Sequence, residues 1–139
     1  MSTSVNPSER RAALRWTVIT LLCAALSAVY EHFSHGVYSD FMVYLFLFPL
    51  LGGLVPALCI WRISSLPTPS GFSYGAWRAG IATLTVGSFL RGVFDIYGTT
   101  APMVNIYWGV GTALAAVGVL SYAPRMLQPH AQPRRLHSS

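Results

Sequence analysis

The chain has 139 residues, of which 53% are hydrophobic and only 9% charged, and its formal net charge is +5. Soluble domains carry charge on roughly a quarter of their residues, so a water-soluble globular enzyme is excluded. The apolar residues fall into four runs of about twenty, the length a helix needs to cross a bilayer. The expected fold class is an all-α integral membrane protein with one four-helix domain over residues 12–123, between polar tails at 1–11 and 124–139.

In chain order, Asn6-Pro7-Ser8-Glu9 reads as a helix start, with Asn6 as cap and Glu9 closing a capping box. The first span is 12–33. Its arginines, its apolar run and Ala25-Leu26-Ser27-Ala28 together resemble a cleavable signal peptide. The apolar pattern continues past those small residues, however, and cleavage would leave the termini on opposite sides, so the helix is expected to be retained. Cys23 follows bulky Leu22, which does not fit a lipoprotein signal. A short turn, Ser34 to Asp40, leads to the second span at 41–61. There Pro49 and Pro56 flank Gly52-Gly53, a pattern that kinks or loosens a helix and lets it line a cavity. Ser64 to Ser73 contains Pro67-Thr68-Pro69-Ser70-Gly71 and cannot be helical throughout. The third span, 75–96, ends in the turn Tyr97 to Met103, and the fourth, 104–123, is expected to stop at Pro124 before a disordered tail. Cys23 and Cys59 fall inside spans, away from both turns at the other face, so both read as buried packing residues rather than disulfide partners.

All nine basic residues are arginine, and Arg10, Arg11, Arg15, Arg62, Arg78, Arg125, Arg134 and Arg135 fall on one side of the four spans. The positive-inside rule makes that side cytoplasmic, giving two in-out-in hairpins with both termini inside. The expected location is the inner (plasma) membrane as a multi-pass protein, and the all-arginine, alanine-rich composition hints at a bacterial source. The arginines are split among tails and helix ends rather than clustered on a folded face, which favours contact with anionic lipid headgroups over nucleic acid. Expected partners are the bilayer itself and another membrane protein or a second copy of the chain.

Arg91 breaks this pattern. It lies thirteen residues after Arg78, roughly 20 Å along a helix at about 1.5 Å per residue, which places its guanidinium at membrane depth. Ionisable groups there are costly, and they are generally paired or functional. Asp95 follows one turn later, and Glu31 lies at matching depth on the first span. The stripe Ala76, Gly80, Thr83, Gly87, Arg91 has the same spacing as Thr20, Ala24, Ser27, Glu31, His35. The two small or polar stripes are therefore expected to face each other and to pair Glu31 with Arg91. A shift of about 60 residues also superposes the two hairpins by position and depth, as a tandem repeat related along the membrane normal would.

The outer polar cluster is thus Glu31, His32, His35, Arg91 and Asp95, with Tyr30, Asp40, Tyr97 and Asn105 as candidate pocket lining. Tyr30, Tyr38, Tyr44, Tyr97, Tyr107 and Trp108 gather at the same side as an aromatic belt would. Gly109, Gly111, Ala113 and Ala115 supply small-x-x-x-small pairs on the fourth span, which favour close helix contact. Four helices, small size and a glutamate on the first helix resemble the small multidrug exporters. Those proteins hold their glutamate near mid-membrane, whereas Glu31 lies at the outer end of its span.

Three functions fit these residues. The first is a non-enzymatic accessory or assembly subunit whose outer cluster clamps the helices or forms a binding surface. The second is a proton-linked carrier or sensor using Glu31, His35 and Asp95, since histidine changes charge near neutral pH. The third is a metal- or haem-binding redox protein using His32 and His35, with Glu31 and Asp95 as further candidate metal ligands. No cofactor is favoured.

Overall fold

The computed structural model describes residues 7–37, 39–63, 67 and 69–127. Four helices are long and apolar enough to cross a membrane: α1 (Pro7–Phe33), α2 (Asp40–Arg62), α3 (Gly71–Ile96) and α4 (Asn105–Leu127). No strand occurs among the described residues. The Asn6 cap, the Glu9 side chain, Tyr38 and the tail from 128 onward lie outside what is described.

Helix α1 runs from Pro7, ahead of the apolar span at 12 and in keeping with a helix start at Asn6-Pro7-Ser8-Glu9, because proline fits the first helical turn and the arginines that follow are good helix formers. Two boundaries differ from the expectation. Helix α3 starts at Gly71 rather than 75: the Ser70 hydroxyl accepts a hydrogen bond from the Ser73 backbone N–H at 3.1 Å, so an N-cap recruits an extra turn. Helix α4 does not stop at Pro124 but runs through it to Leu127. Pro124 sits in the last turn on the exposed surface, where a carbonyl that loses its intrahelical donor can be met by water.

Helix α2 is the irregular member. It consists of Asp40–Val43, a short turn, Leu47–Pro49, a π-helical turn over Leu50–Leu54 and then Val55–Arg62. Pro49 and Pro56 have no N–H to offer the carbonyls of Leu45 and Gly52, four residues back. In the first break the Leu45 N–H donates to the Met42 carbonyl at 3.2 Å, which leaves the Phe41 carbonyl open. Neighbouring helices satisfy two of the freed carbonyls, those of Phe41 and Gly52. The Ser88 hydroxyl of α3 donates to the Phe41 carbonyl at 2.8 Å, and the Ser27 hydroxyl of α1 adds a second hydrogen bond to the Met42 carbonyl at 2.6 Å. The Trp77 indole N–H donates to the Gly52 carbonyl at 2.6 Å. Irregular backbone is tolerated at membrane depth when protein satisfies it in this way.

Trp77→Phe should therefore lower the stability of the detergent-solubilised protein by about 1 kcal/mol, since the ring is kept and only the donor is lost. Denaturant unfolding measures this. An unchanged midpoint would mean that the π-helical turn satisfies Gly52 without help.

Each helix packs mainly on its neighbour in sequence. Trp16 of α1 lies over Gly53 of α2, and Ser27 lies beside Met42. Met42 is completely buried, and with Leu45 and Cys23 it forms a core flanked by Tyr30, Phe46, Phe89, Val93 and Ile96. Cys59, by contrast, is exposed on the α2 surface rather than buried. Helices α3 and α4 make the closest approach. A Cβ on Gly80 would lie 2.5 Å from the Ala115 nitrogen and 2.8 Å from the Gly111 carbonyl oxygen, and one on Gly118 would lie 2.7 Å from the Trp77 nitrogen. The Ser73 hydroxyl closes the same seam by donating to the Gly118 carbonyl at 2.6 Å. Gly111 and Ala115 thus serve the contact that their spacing suggests, whereas nothing lies within 4 Å of a Cβ on Gly109.

Candidate functional site

Arg91 and Asp95 face one another across one turn of α3, with the arginine Nε 3.2 Å from Asp95 Oδ1. Both side chains are 32% exposed, so the pair lies at the edge of the packed interior. Arg91 Nε is buried and makes no properly directed hydrogen bond, so the contact is an ion pair by proximity rather than a bidentate fork. The other carboxylate oxygen, Oδ2, accepts from the Ser39 hydroxyl at 3.0 Å, tying α3 to the residue that precedes α2. The guanidinium carbon stands 5.5 Å from the centre of the Phe41 ring, within cation–π range. Asp95 therefore joins Arg91 of its own helix to the entry of α2.

The Glu31–Arg91 pair expected from matching stripes is not formed. Among the described residues Glu31 makes no ion pair, and its Oε1 is buried without a hydrogen-bond partner. The reason is helix order: no Cα of α1 comes within 8 Å of one in α3, because the first turn of α2 stands between them. Ser27 and Ser88, the polar residues one turn before Glu31 and Arg91, each bond to that intervening turn instead of to each other's helix. The two stripes thus face α2 and α4 rather than one another.

The histidines are placed differently again. His32 is exposed, with its ring edge-on to Phe33 at 5.5 Å. His35 is exposed in the turn after α1 at φ 51°, and its Nδ1 lies 2.8 Å from the Phe33 carbonyl. A carbonyl only accepts, so that contact requires a proton on Nδ1. His35 makes no ion pair with Asp95. Among the described residues no three His, Cys, Asp or Glu side chains gather as a metal site, so Glu31, His32, His35 and Asp95 are not brought together. Of the remaining candidates, Tyr30 packs against Phe89 with ring centres 5.6 Å apart, and Asp40, Tyr97 and Asn105 are exposed. Trp108 of the expected aromatic belt turns inward, edge-on to Phe41 and Phe48.

A cavity of about 490 Å³ lies at the opposite, arginine-rich end, among all four helices. None of the four expected lining residues borders it. Its wall includes Gly52, Gly53 and Pro56, the irregular part of α2, together with Trp16, Trp77 and Arg15. The flanking prolines and the paired glycines of α2 were the sequence signal for this cavity. Ser39, Phe41 and Ser88 were not singled out by the sequence reading, although serine inside an apolar run is itself a signal, since its hydroxyl must find an acceptor there.

No family model, curated protein or solved structure matches the chain. Fold and site together define a class: an all-helical, multi-pass membrane protein with four spans, a polar clamp at one end and a cavity at the other.

Proposed function

We propose that the protein is a non-enzymatic accessory or assembly subunit of the bacterial inner membrane, threaded as two in-out-in hairpins with both termini cytoplasmic. On this reading the tandem repeat is one of topology, and the arginine-rich end faces the cytoplasm. The observation that carries the proposal is the second small-residue face of α4. Gly111, Ala115 and Gly118 meet α3, while Gly109, Ala113 and Ala116 lie on the opposite side of the helix at about 100° per residue, exposed and with nothing over Gly109. Small residues let a further helix approach closely in lipid, and the partner is another integral membrane protein.

The outer cluster serves this role as a clamp. Asp95 engages Arg91 and Ser39, and His35 bonds to its own turn, so two of the three groups that the proton-carrier reading requires are engaged apart from one another.

The test is the native mass of the protein extracted from its own membrane. A particle larger than one chain is expected, and Ala113→Leu should reduce it to the single chain, whereas Val110→Leu, on another exposed face, should leave it unchanged. A single-chain particle before any substitution would overturn the proposal.

A further inference from the structure

The cavity at the arginine-rich end combines three features that point to one kind of ligand. Its volume of about 490 Å³ falls in the range of small-molecule sites, roughly 300–1,000 Å³. Three of its polar wall groups are already engaged: Ser73 with the Gly118 carbonyl, the Trp77 indole with Gly52, and the Tyr122 hydroxyl with the Pro67 carbonyl at 2.7 Å. The lining therefore offers aromatic and aliphatic surface. Arg15 is the one charged residue on that lining; it is exposed and, among the described residues, has no hydrogen-bond or ion-pair partner. A second cation stands close by, since Arg78 lies 5.3 Å over the ring of Tyr74, which also lines the cavity. No acid borders it.

The cavity also has a direction. Arg15, Tyr74 and Tyr122 lie near the helix ends, whereas Gly52 and Gly53 lie at the middle of α2, so the wall runs from a cationic mouth to an apolar floor at bilayer depth. The π-helical turn shapes that floor. Gly53 leaves room for the Trp16 ring and Gly52 for Ile81, so no side chain from this part of α2 fills the space. Single π-helical turns occur frequently where a helix serves a site rather than packing alone.

We propose that this cavity binds a single-chain amphiphile with an anionic head, the head at Arg15 and the apolar chain between Trp16 and Trp77. The shared chemistry covers a carboxylate head, as in a free fatty acid, and a phosphate head, as in a monoalkyl phosphate. A charge-assisted contact to Arg15 holds either one. The inference does not depend on the accessory role and concerns the other end of the molecule.

Trp16 and Trp77 make the site visible by fluorescence. The full chain carrying Trp61→Phe, which removes an indole on the exposed surface, is reconstituted in zwitterionic lipid discs. It is titrated with brominated dodecanoic acid, brominated dodecyl phosphate and the brominated methyl ester of the acid. Saturable quenching is expected with one or both anions and none with the ester. Arg15→Gln should weaken anion binding about tenfold or more, as the loss of a charged contact does. Arg15→Lys should restore part of the loss, and Ala57→Phe, which fills the cavity, should abolish saturation. Because Arg15 has no hydrogen-bond or ion-pair partner among the described residues, its replacement is expected to leave the fold intact. The ratio of the carboxylate and phosphate affinities identifies the head group. Equal, non-saturating quenching by acid and ester, or an Arg15→Gln titration that overlays the parent, would overturn the proposal.

Discussion

Replacing Gly80 by leucine is expected to be the most damaging single change in the α3–α4 half of the molecule. Even one added carbon would sit 2.5 Å from the Ala115 nitrogen, 2.8 Å from the Gly111 oxygen and 2.9 Å from the Ala115 Cα. These are main-chain atoms of a facing helix, so no side chain can swing aside, and relief requires the helices to move apart. That movement would also stretch the Ser73 hydrogen bond to Gly118 and uncover the contacts of Gly111 with Leu84 and of Gly118 with Trp77. Overpacking a well-filled interior usually costs about 1–3 kcal/mol, and with backbone as the obstacle we expect about 3 kcal/mol or more for Gly80→Leu. Gly109→Leu, where nothing lies within 4 Å, should leave the stability of the isolated chain unchanged. Thermal unfolding in detergent compares the two. Equal midpoints would show that α3 and α4 are not in contact along this seam.

The next largest effect should come from the clamp. Arg91→Gln leaves Asp95 with Ser39 alone, and Asp95→Asn leaves Arg91 without its counter-charge. At 32% exposure on both sides the pair is neither a freely solvated bridge nor a fully buried one, so each single substitution should cost about 1–2 kcal/mol. The double substitution should cost less than the sum, because the second change removes a partner already lost. Glu31→Gln should stay within about 0.5 kcal/mol of the parent, as its buried oxygen has no partner to lose. If instead Glu31→Gln destabilises and couples to Arg91→Gln while Asp95→Asn is silent, then Arg91 reaches across to α1, and the interposed first turn of α2 is misplaced.

The contrast between Glu31 and Asp95 marks the boundary between sequence and structure at this site. Depth follows from residue count, because a helix rises about 1.5 Å per residue whatever surrounds it, so Arg91, Asp95 and Glu31 can be assigned to one end of the bundle from their positions alone. Stripe direction also follows from spacing. Neither says which helix stands opposite, and Glu31 and Arg91 lie on helices separated by the first turn of α2. The same limit applies to helix α4, where Gly109 and Gly111 look alike as small residues and only the packing shows that Gly111 meets α3.

Four helices apolar and long enough to span, the concentration of arginine at one end and the weak point of α2 are legible in the sequence, since these depend on composition, hydrogen-bonding capacity and local periodicity. The tertiary structure decided which acid holds Arg91, which face of α4 is covered and where the cavity opens. Those outcomes depend on helix order and on which side chain reaches a freed carbonyl, as Ser88 and Trp77 do for α2. A one-dimensional pattern records that a carbonyl is free and that a donor is present, and only close packing in three dimensions brings the two within hydrogen-bonding distance.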